Sequence, residues 1–556
     1  MNTIRGTLSQ ALNPAVIAVI LVAIAVFRIT STYGHLSPTW DEPAHIARGM
    51  QWLDAGQYTY KNVHPPLAEI LVAAGPYLTG ARHTGAENRW LEGNRIIFGN
   101  GDHRGTMTAA RLGTLAFFLL LCAVVYLWSR RLAGEWGGIL SLFLTAGTPL
   151  VLAHSGLATN DAAAAAMLML GLYAFVRYLE RQTPGNALIF GVAAGLALAT
   201  KFSAVLYLPL GITVLVFFYA DRLKAGTGAR AWILLRDLSF ALVSAFLALW
   251  AVYRFPVTAA SADDLAIIGI FSGFPALEAW LANTPLPLVG DFLRGVAELK
   301  AHNEAGHAQS FLGEVGRSGW WQFFPVVLLF TMPISLLLLW AWGFFPAVQE
   351  LGRRNRALAP LVIAAVILLS VMPAAINIGT RHVLAIIPLL SVSFGYLLVR
   401  YSTTWLSKAL SGLLLAGLFM ESVMAHPDYL SYFNALAGGR PENIVVDSNL
   451  DWGQDLYRLD DALSRLDIEQ ASIAYNGSAP PHRIVRAADL TLLHPHRLCA
   501  EPPEGWAVIS VQFLKLYPAC RRLAAAAPGR RVGSSLFLYR FPGEAPKPLA
   551  ESDQEQ

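Results

Sequence analysis

The sequence predicts a polytopic α-helical membrane protein that ends in a small soluble α/β domain. Hydrophobic residues make up 55% of the 556 residues and charged residues only 14%, whereas an ordinary soluble domain has about 25% charged residues. Mean hydropathy is +0.47. Apolar runs of about 20 residues, the length that crosses a bilayer, recur up to residue 424. Residues 425–556 have the composition of a soluble protein instead.

About eleven membrane spans are predicted from the lengths of the apolar runs. The first follows Arg5 and shows no small-residue cleavage site, so it is interpreted as an uncleaved span and not as a signal peptide. The fifth and sixth almost abut. The spans lie near 11–30, 107–128, 137–155, 161–179, 187–200, 202–220, 237–256, 323–345, 359–377, 383–400 and 408–424.

Basic residues predict the orientation of these spans. They cluster on alternate connections, near residues 130, 180, 222–236, 353–356 and 400–408. Because basic loops stay in the cytoplasm, the N-terminus is expected inside and the C-terminus outside. The sequence therefore predicts two domains. The first is a transmembrane domain, 1–424, with long outward loops at 31–106 and 257–322, and the second is a soluble extracytoplasmic domain, 425–556.

The soluble tail shows alternating strand and helix patterns. Strands are predicted at 443–446, 471–475, 506–511 and 534–539, and a helix at 453–466. Cys499 and Cys520 both lie in this tail, where the compartment permits disulfides, so a disulfide between them is the favoured prediction and two buried free thiols are the alternative.

Three aspartates spaced by four residues mark the start of the tail. Asp447, Asp451 and Asp455, with Asn449, could bind a cation through oxygen ligands. The favoured interpretation is structural: a turn into a helix, with Asp451 as its N-cap and Trp452 packed beneath. His494 and His496 lack a matching second pair for zinc, so no metal site is predicted.

The first outward loop contains two short polar motifs, each followed by proline and a predicted helix, next to a membrane span. Asp41 and Glu42 precede Pro43, which suits the first position of a helix predicted over 43–53. A carboxylate pair beside a membrane is costly and marks a functional site. Asp41 could act as a general base on a hydroxyl or simply cap the helix, and both interpretations stay open. His64 stands before two prolines that open a second helix, 67–78.

Further polar groups are expected at the same outer level. Asn160 and Asp161 lie at the turn between spans three and four, Lys201 follows span five, and Arg381 with His382 lies between spans nine and ten. Arginine and lysine bind phosphate groups, so the set indicates an anionic, lipid-anchored substrate. Lys201 alone could instead be an interfacial anchor.

The motifs together resemble the bacterial family 39 glycosyltransferases. These are related to protein O-mannosyltransferases and to the aminoarabinose transferases that modify lipid A, all with the GT-C membrane fold. The motifs are Trp40-Asp41-Glu42-Pro43, His64-Pro65-Pro66-Leu67, Thr159-Asn160-Asp161, Lys201, Gly379-Thr380-Arg381-His382, and the stretches 306–321, 426–434 and 447–455.

The resemblance implies an inverting sugar transfer at the outer face of a bacterial cytoplasmic (inner) membrane. The donor would be a sugar on a polyprenyl phosphate, and the acceptor an envelope glycan, lipid or protein. The resemblance implies no required cofactor and a transfer that is either independent of a divalent metal or only loosely linked to one. Asp41 would be the base, supported by Glu42 and Asp161. His64, Lys201, Arg381 and His382 would bind the donor phosphate, and Asn160 and Trp40 would contact or support the acceptor. One departure is His64, since the lipid A branch has lysine there.

Other classes compete with this interpretation. A transporter or flippase of lipid-linked envelope precursors would normally show repeated helix patterns and charges at mid-membrane, which this sequence lacks. A scaffold would leave the acid and cation pattern unexplained. A two-carboxylate hydrolase needs two groups at a fixed separation, and adjacent residues on a turn point apart. The small net charge of +4 argues against a nucleic-acid partner.

Overall fold

The computed structural model describes residues 13–60, 64–223, 228–526 and 529–541. Residues 11 and 12 of the first predicted span, and Lys224 in one basic cluster, lie outside this part. The chain forms two compact units. The membrane unit contains Met1–Tyr33, Asp41–His307 and Arg317–Gly439. The C-terminal unit contains Gly34–Trp40, Ala308–Gly316 and Arg440–Gln556.

The membrane unit is mostly helical. Two short strands, β1 (Val257–Thr258) and β2 (Leu286–Pro287), pair antiparallel in its second outward loop. Its helices are α1 (Pro14–Thr30), α2 (Glu42–Met50), α3 (Leu67–Leu78), α4 (Arg89–Phe98), α5 (His103–Ala146), α6 (Pro149–Ser155), α7 (Asp161–Glu180), α8 (Pro184–Leu198), α9 (Ala204–Phe218), α10 (Ala220–Leu223), α11 (Gly228–Val252), α12 (Ala262–Ile268), α13 (Pro275–Asn283), α14 (Val289–Ala305), α15 (Phe323–Thr331), α16 (Ile334–Gly352), α17 (Ala359–Val371), α18 (Ile386–Tyr401) and α19 (Trp405–Met424).

Among the described residues, five helices are long and apolar enough to cross a membrane: α5, α7, α11 over Ala231–Val252, α16 and α19. Six shorter apolar helices accompany them. The protein is therefore a multi-pass membrane protein, and the number of eleven spans stays a prediction.

Three predicted spans take unexpected forms. Span two and the first part of span three both lie in α5, and non-helical backbone at Ala133 and Gly134 separates them. The rest of span three is α6. Gly134 has a φ of 72°, which suits glycine. Span eight is two helices, α15 and α16, divided at Pro333, whose ring cannot continue a helix.

Small residues let the membrane helices pack closely. α5 packs against α1, α3, α7 and α18, and α8 packs along α11. A Cβ on Gly195 of α8 would lie 2.3 Å from the carbonyl oxygen of Ala245 in α11. Such glycine contacts are typical of helix association in a bilayer, where apolar burial supplies little driving force.

The C-terminal unit is built on a five-stranded mixed sheet with the order β6-β5-β7-β9-β8. β5 is parallel to β6 and β7, while β9 is antiparallel to β7 and β8. A hairpin of β3 (Gln309–Phe311) and β4 (Glu314–Gly316) also belongs to this unit. Its other elements are α20 (Leu456–Arg465), β5 (Gln470–Ala474), α21 (Pro481–Ile484), β6 (Asp489–Leu492), α22 (Pro495–Ala500), β7 (Gly505–Ser510), α23 (Val511–Leu516), α24 (Pro518–Ala526), β8 (Arg530–Val532) and β9 (Leu536–Phe541).

The core of this sheet contains the tail cysteines. Cys499 in α22 and Cys520 in α24 form a disulfide, with a Cα–Cα distance of 4.8 Å. They pack with Leu498, Ile509 and Leu514, all buried. The disulfide therefore joins two helices on one face of the sheet.

Three predictions about the tail and first loop were wrong in detail. Residues 443–446 do not form a strand, because only Val445 makes a bridge, to Phe311. The helix predicted from 453 begins at Leu456, since Gly453 has a φ of 85°. The helix predicted over 43–53 is α2 followed by a π turn, Gln51–Ala55.

The predicted domain boundary at 425 also differs from the structure. The side-chain amide of Asn434 donates to the carbonyl oxygens of Leu329 and Met332, at 2.7 Å each. These bonds keep the segment after α19 in the membrane unit. The long tail segment of the C-terminal unit begins at residue 440 instead.

Candidate active site

Asp41 is placed by the start of α2 but does not cap that helix. Its carbonyl oxygen accepts the backbone N–H of His45 at 3.1 Å, while its carboxylate makes no capping bond. The carboxylate instead accepts a hydrogen bond from Nη1 of Arg381 at 2.9 Å and remains 27% exposed. The N-cap interpretation of this carboxylate is therefore wrong.

Arg381 connects Asp41 to a second carboxylate. Nη1 of Arg381 also lies 3.7 Å from Oδ2 of Asp161, the first residue of α7. Oδ1 of Asp161 binds Nζ of Lys201 at 2.5 Å. Asp161 and Lys201 are both buried. The structure thus brings four predicted residues together as alternating charges: Asp41, Arg381, Asp161 and Lys201.

Local backbone explains where the two cations lie. Arg381 occupies a single 3₁₀ turn, Thr380–Val383, which Gly379 enters with a φ of 129°. Only glycine adopts such a backbone without strain. Lys201 follows the C-terminal end of α8 directly. Both cations therefore come from connections between apolar helices, where a buried charge is rare and functional by default.

Two polar side chains beside these charges have atoms without hydrogen-bond partners. The Asn160 side chain is 1% exposed, and neither its oxygen nor its nitrogen has a partner. Nε2 of His382 is also buried and without a partner, although the His382 carbonyl accepts the Tyr207 hydroxyl at 3.1 Å. An unsatisfied buried polar group costs about 1–3 kcal/mol. Both groups are therefore available to a ligand.

A small cleft lies against this cluster. Its polar lining consists of Asp161, Lys201, Ser203, Tyr207, Arg381 and His382, and its apolar lining comes from α7, α9 and the 381–385 segment. Charged and polar side chains therefore line the same cleft as apolar side chains of the helices. A ligand with an anionic head and an apolar tail suits such a cleft.

Glu42 has a different environment from Asp41, although the two are neighbours in sequence. Both of its oxygens bind the Arg111 guanidinium of α5, at 2.8 Å each, and Oε1 also accepts the backbone N–H of Ala158. The side chain is fully buried. Glu42 therefore anchors α2 to α5 and to the turn before Asp161, and it supports the site without facing the cleft.

Arg111 was not predicted as part of the site. The sequence did contain an indication of its importance, since Arg111 is a charged residue inside the apolar run of the second span. Such a residue needs a buried partner. The sequence did not show which carboxylate that partner would be.

His64 belongs to a second buried network in the first loop. Its ring stacks on that of His45, with centroids 5.6 Å apart. Nδ1 of His45 lies 3.0 Å from Glu69, which also binds Arg48 and the Tyr58 hydroxyl. Burial, followed by the nearby charge of His45, holds the pKa of His64 well below its usual value. The neutral form of His64 is therefore favoured, and its contact with the donor phosphate stays a prediction.

Trp40 and the other predicted active-site residues are assigned to different units. Trp40 belongs to the C-terminal unit, where its backbone N–H donates to the Trp452 carbonyl at 2.8 Å. A direct acceptor contact through its indole stays a prediction.

The three tail aspartates have structural partners. Oδ2 of Asp455 accepts the backbone N–H and hydroxyl groups of Ser534 and Ser535. Asp451 accepts the backbone N–H of Gln512 at 3.0 Å, so its predicted N-cap role was wrong. Asp455 occupies the N-cap position of α20 instead, without a side-chain capping bond. No group of three metal-ligating side chains occurs among the described residues.

Comparisons with known proteins agree with the resemblance seen in the motifs. Residues 97–250 match the profile of the family described as dolichyl-phosphate-mannose-protein mannosyltransferase. This segment includes α5, α7 and the Asn160–Asp161 turn. No sequence among the curated proteins matches the chain.

Three solved structures are similar to this chain, two of them over most of its length and one over less than half. ArnT from Cupriavidus metallidurans bound to undecaprenyl phosphate is 14% identical, covering 94% of this chain and 97% of that one, with a TM-score of 0.49. Archaeal oligosaccharyltransferase AglB from Archaeoglobus fulgidus, in complex with an inhibitory peptide and a dolichol-phosphate, is 12% identical, covering 96% and 75%, with a TM-score of 0.43. The S. cerevisiae Pmt1-Pmt2 protein O-mannosyltransferase complex bound to the sugar donor is 18% identical, covering 46% and 36%, with a TM-score of 0.35.

Each of these TM-scores lies below 0.5, so the structural likenesses add no argument of their own. The family profile falls on the helices that present Arg111 and Asp161. Residues 97–250 of this multi-pass membrane protein are therefore similar to the dolichyl-phosphate-mannose-protein mannosyltransferases.

Proposed function

We propose that the protein transfers a sugar from a polyprenyl-phosphate donor to a hydroxyl acceptor at the outer face of a bacterial cytoplasmic membrane. The observation that carries this proposal is the pair of Asp41 and Arg381. Asp41 is part-exposed, and its carboxylate oxygen lies 2.9 Å from Nη1 of Arg381, which also faces Asp161. A base and a phosphate-binding cation are thus adjacent.

In the proposed reaction, Asp41 accepts the proton of the acceptor hydroxyl as that oxygen bonds to the anomeric carbon. The bond between that carbon and the phosphate oxygen breaks, and its electron pair leaves with the phosphate. A single displacement of this kind inverts the anomeric configuration. General-base assistance of this type contributes about 10²–10⁴ in rate.

Arg381 and Lys201 would stabilise the charge that develops on the leaving phosphate. Arg381 has five N–H donors, more than one carboxylate uses. Asp161 binds both cations and so fixes their positions. Preorganised charges of this kind stabilise a transition state without reorganisation at the moment of reaction.

His382 and Asn160 would complete the site as neutral groups. The free Nε2 of His382 is suited to a phosphate oxygen. The Asn160 carboxamide offers a donor and an acceptor, which suits a sugar or acceptor hydroxyl. His64 would act on the donor only as a neutral hydrogen-bonding group. The acceptor would be an envelope glycan, lipid or protein.

The orientation is part of the proposal. The N-terminus would be cytoplasmic, and the C-terminal unit and first loop would lie outside, because the basic clusters mark the inner connections. Cysteine substitution of exposed Trp405, near the predicted inner end of α19, tests this. A membrane-impermeant thiol reagent should label it only after the membrane is permeabilised.

The test of function is transfer by the purified full-length chain in proteoliposomes. Synthetic polyprenyl-phosphate sugars serve as donors, and mass spectrometry of envelope material from a deletion strain selects the acceptors. The expected products are free polyprenyl phosphate and an acceptor with the inverted linkage, formed at the same rate with EDTA. Flipping of the donor without any bond cleavage would overturn the proposal and favour a flippase.

A further inference from the structure

A further buried carboxylate, Glu69, lies in the first loop of the membrane unit, and the proposed reaction does not use it. Glu69 belongs to α3 and is fully buried. Its Oε1 accepts a hydrogen bond from Nε of Arg48 at 2.7 Å and lies 3.0 Å from Nδ1 of His45. Its Oε2 accepts the Tyr58 hydroxyl. Both side-chain oxygens of Glu69 are therefore bound by groups of the membrane unit.

These bonds join α2 to α3 at a point of close backbone contact. Arg48 and His45 lie on α2, and both side chains are 2% exposed. A Cβ on Gly49 of α2 would lie only 1.9 Å from the Glu69 carbonyl oxygen, so glycine is needed for this approach. The side chain and the backbone of Glu69 thus both meet α2 at the same crossing.

α2 has a separate attachment beside the proposed base. Glu42, the neighbour of Asp41, binds Arg111 of α5 through both carboxylate oxygens. Because consecutive Cα atoms are about 3.8 Å apart, this pair holds Asp41 whether or not Glu69 is bound. The bonds of Glu69 therefore serve to hold α3 against α2.

The start of α3 is attached to the connection that carries Lys201. The backbone N–H of Leu67, the first residue of α3, donates to the Ala199 carbonyl at 2.9 Å. The Leu67 side chain packs against the apolar cluster that contains Ala199. Lys201 comes soon after Ala199 in the chain. A movement of the start of α3 would therefore be transmitted to Lys201.

Without the bonds of Glu69, α3 would be held by its later turns. A Cβ on Gly113 of α5 would lie 2.0 Å from the Leu71 carbonyl oxygen, so these helices are in close contact there. Leu71 lies about 6 Å along the helix from Leu67, since an α-helix rises about 1.5 Å per residue. A tilt of about 10° around this contact would move the start of α3 by about 1 Å.

We propose that Glu69 is a positioning residue that holds the start of α3 against α2 and so keeps Lys201 correctly placed relative to Asp41. The inference rests on the proposed function for its kinetic consequence, since it takes Lys201 as a phosphate-binding cation and Asp41 as the base. A misplacement of about 1 Å can cost about 100-fold in rate. Glu69 acts on the donor side of the site, because Asp41 keeps its own attachment through Glu42.

The experiment uses the full-length protein in proteoliposomes. Glu69→Gln removes the charge that binds Arg48 and keeps the size of the side chain. This change leaves the Arg48 charge buried without its partner, so the double variant Glu69→Gln/Arg48→Met keeps the test valid if the single variant does not fold. The matched control is Glu92→Gln, since Glu92 is an equally buried carboxylate of the same loop that binds Thr84 and Ala86 instead.

Donor KM, acceptor KM and kcat are measured for each variant, together with hydrogen–deuterium exchange of a peptide spanning 64–70. Glu69→Gln and the double variant should raise the donor KM about tenfold and leave the acceptor KM unchanged, because the phosphate side moves and the base does not. Exchange of the Leu67 amide should rise, since its bond to Ala199 is weakened. Glu92→Gln should change none of these quantities.

The donor KM distinguishes positioning from a purely structural role. A residue that only stabilises the fold would change the active fraction, which lowers the apparent kcat and leaves the donor KM as it is. An unchanged donor KM in both Glu69 variants would therefore overturn the inference. An acceptor KM that rises as much as the donor KM would also overturn it, because the base would then have moved.

Exchange separates this inference from the proposed function. A wild-type protein that transfers no sugar contradicts the proposed function. In that case the exchange of 64–70 still decides whether Glu69 holds the start of α3. Faster exchange in both Glu69 variants supports the inference, and unchanged exchange overturns it.

Discussion

The two acidic clusters of this protein use the same residue type for different purposes. In the membrane unit, Arg381 lies between Asp41 and Asp161, and Asp161 also binds Lys201. Asp161 and the two cations line a cleft. In the C-terminal unit, Asp451 and Asp455 bind backbone N–H groups and hydroxyls. Carboxylates paired with cations around a cleft can exchange partners with a ligand. Carboxylates enclosed by backbone donors serve to shape a loop.

The largest effect is expected when the inner charge pair of the membrane unit is broken. Asp161→Asn leaves the Lys201 ammonium buried without its partner, which should destabilise the protein by about 3–5 kcal/mol and abolish transfer. The double variant Asp161→Asn/Lys201→Met should recover most of the stability without recovering transfer. Thermal unfolding in detergent and the transfer rate are the measurements. A double variant that transfers normally would make this pair structural, like the tail aspartates.

Replacing the shared cation tests the phosphate role. Arg381→Ala should lower kcat/KM for the donor about 100-fold, because a preorganised positive charge at the leaving group is lost. Arg82→Ala is the matched control, since Arg82 lies on the first loop with a half-exposed side chain, and it should behave as wild type. An unchanged donor dependence in Arg381→Ala would remove this residue from the phosphate site.

Substitutions in the acidic cluster of the C-terminal unit should change the free energy of unfolding of that unit. Asp455→Asn replaces the carboxylate that accepts the backbone N–H and hydroxyl groups of Ser534 and Ser535 with a weaker acceptor. It should destabilise the C-terminal unit by about 1–3 kcal/mol. Asp461→Asn, an exposed neighbour on α20, should stay within about 0.5 kcal/mol of wild type. Pulse proteolysis of the full-length protein in urea measures both. Equal stabilities would mean that Asp455 does not hold the turn.

Asp451 should make the stability of the C-terminal unit depend on pH. Burial raises the pKa of this carboxyl well above its usual range, while an unfolded aspartate titrates near about 3.9. Between the two values the folded state holds one more proton, so stability falls as pH rises, by at most about 1.4 kcal/mol per pH unit. Asp451→Asn should flatten this slope between pH 4 and 7, measured by the same proteolysis. A slope identical to wild type would contradict the assignment.

Much of the fold and four of the key charges could be predicted from the sequence. The prolines at 43 and at 65–66 predicted where α2 and α3 begin, because the start of a helix depends on local chemistry. The partners of Glu42 could not be predicted, since Arg111 lies far away in the sequence and only packing brings it close. The prediction of a strand at 443–446 was wrong because strand pairing there depends on a hairpin that is distant in the sequence, which pairs with this segment only through the bridge between Phe311 and Val445.

The role of Asp41 as the base is the central claim, and one comparison tests it most directly. The transfer rate from a defined polyprenyl-phosphate sugar is measured for Asp41→Asn and for Asp54→Asn, a part-exposed aspartate on the same loop that binds the His83 backbone N–H. Asp41→Asn should fold normally and lose about 10²–10⁴ in kcat, while Asp54→Asn keeps the wild-type rate. Retained transfer in Asp41→Asn would contradict the account.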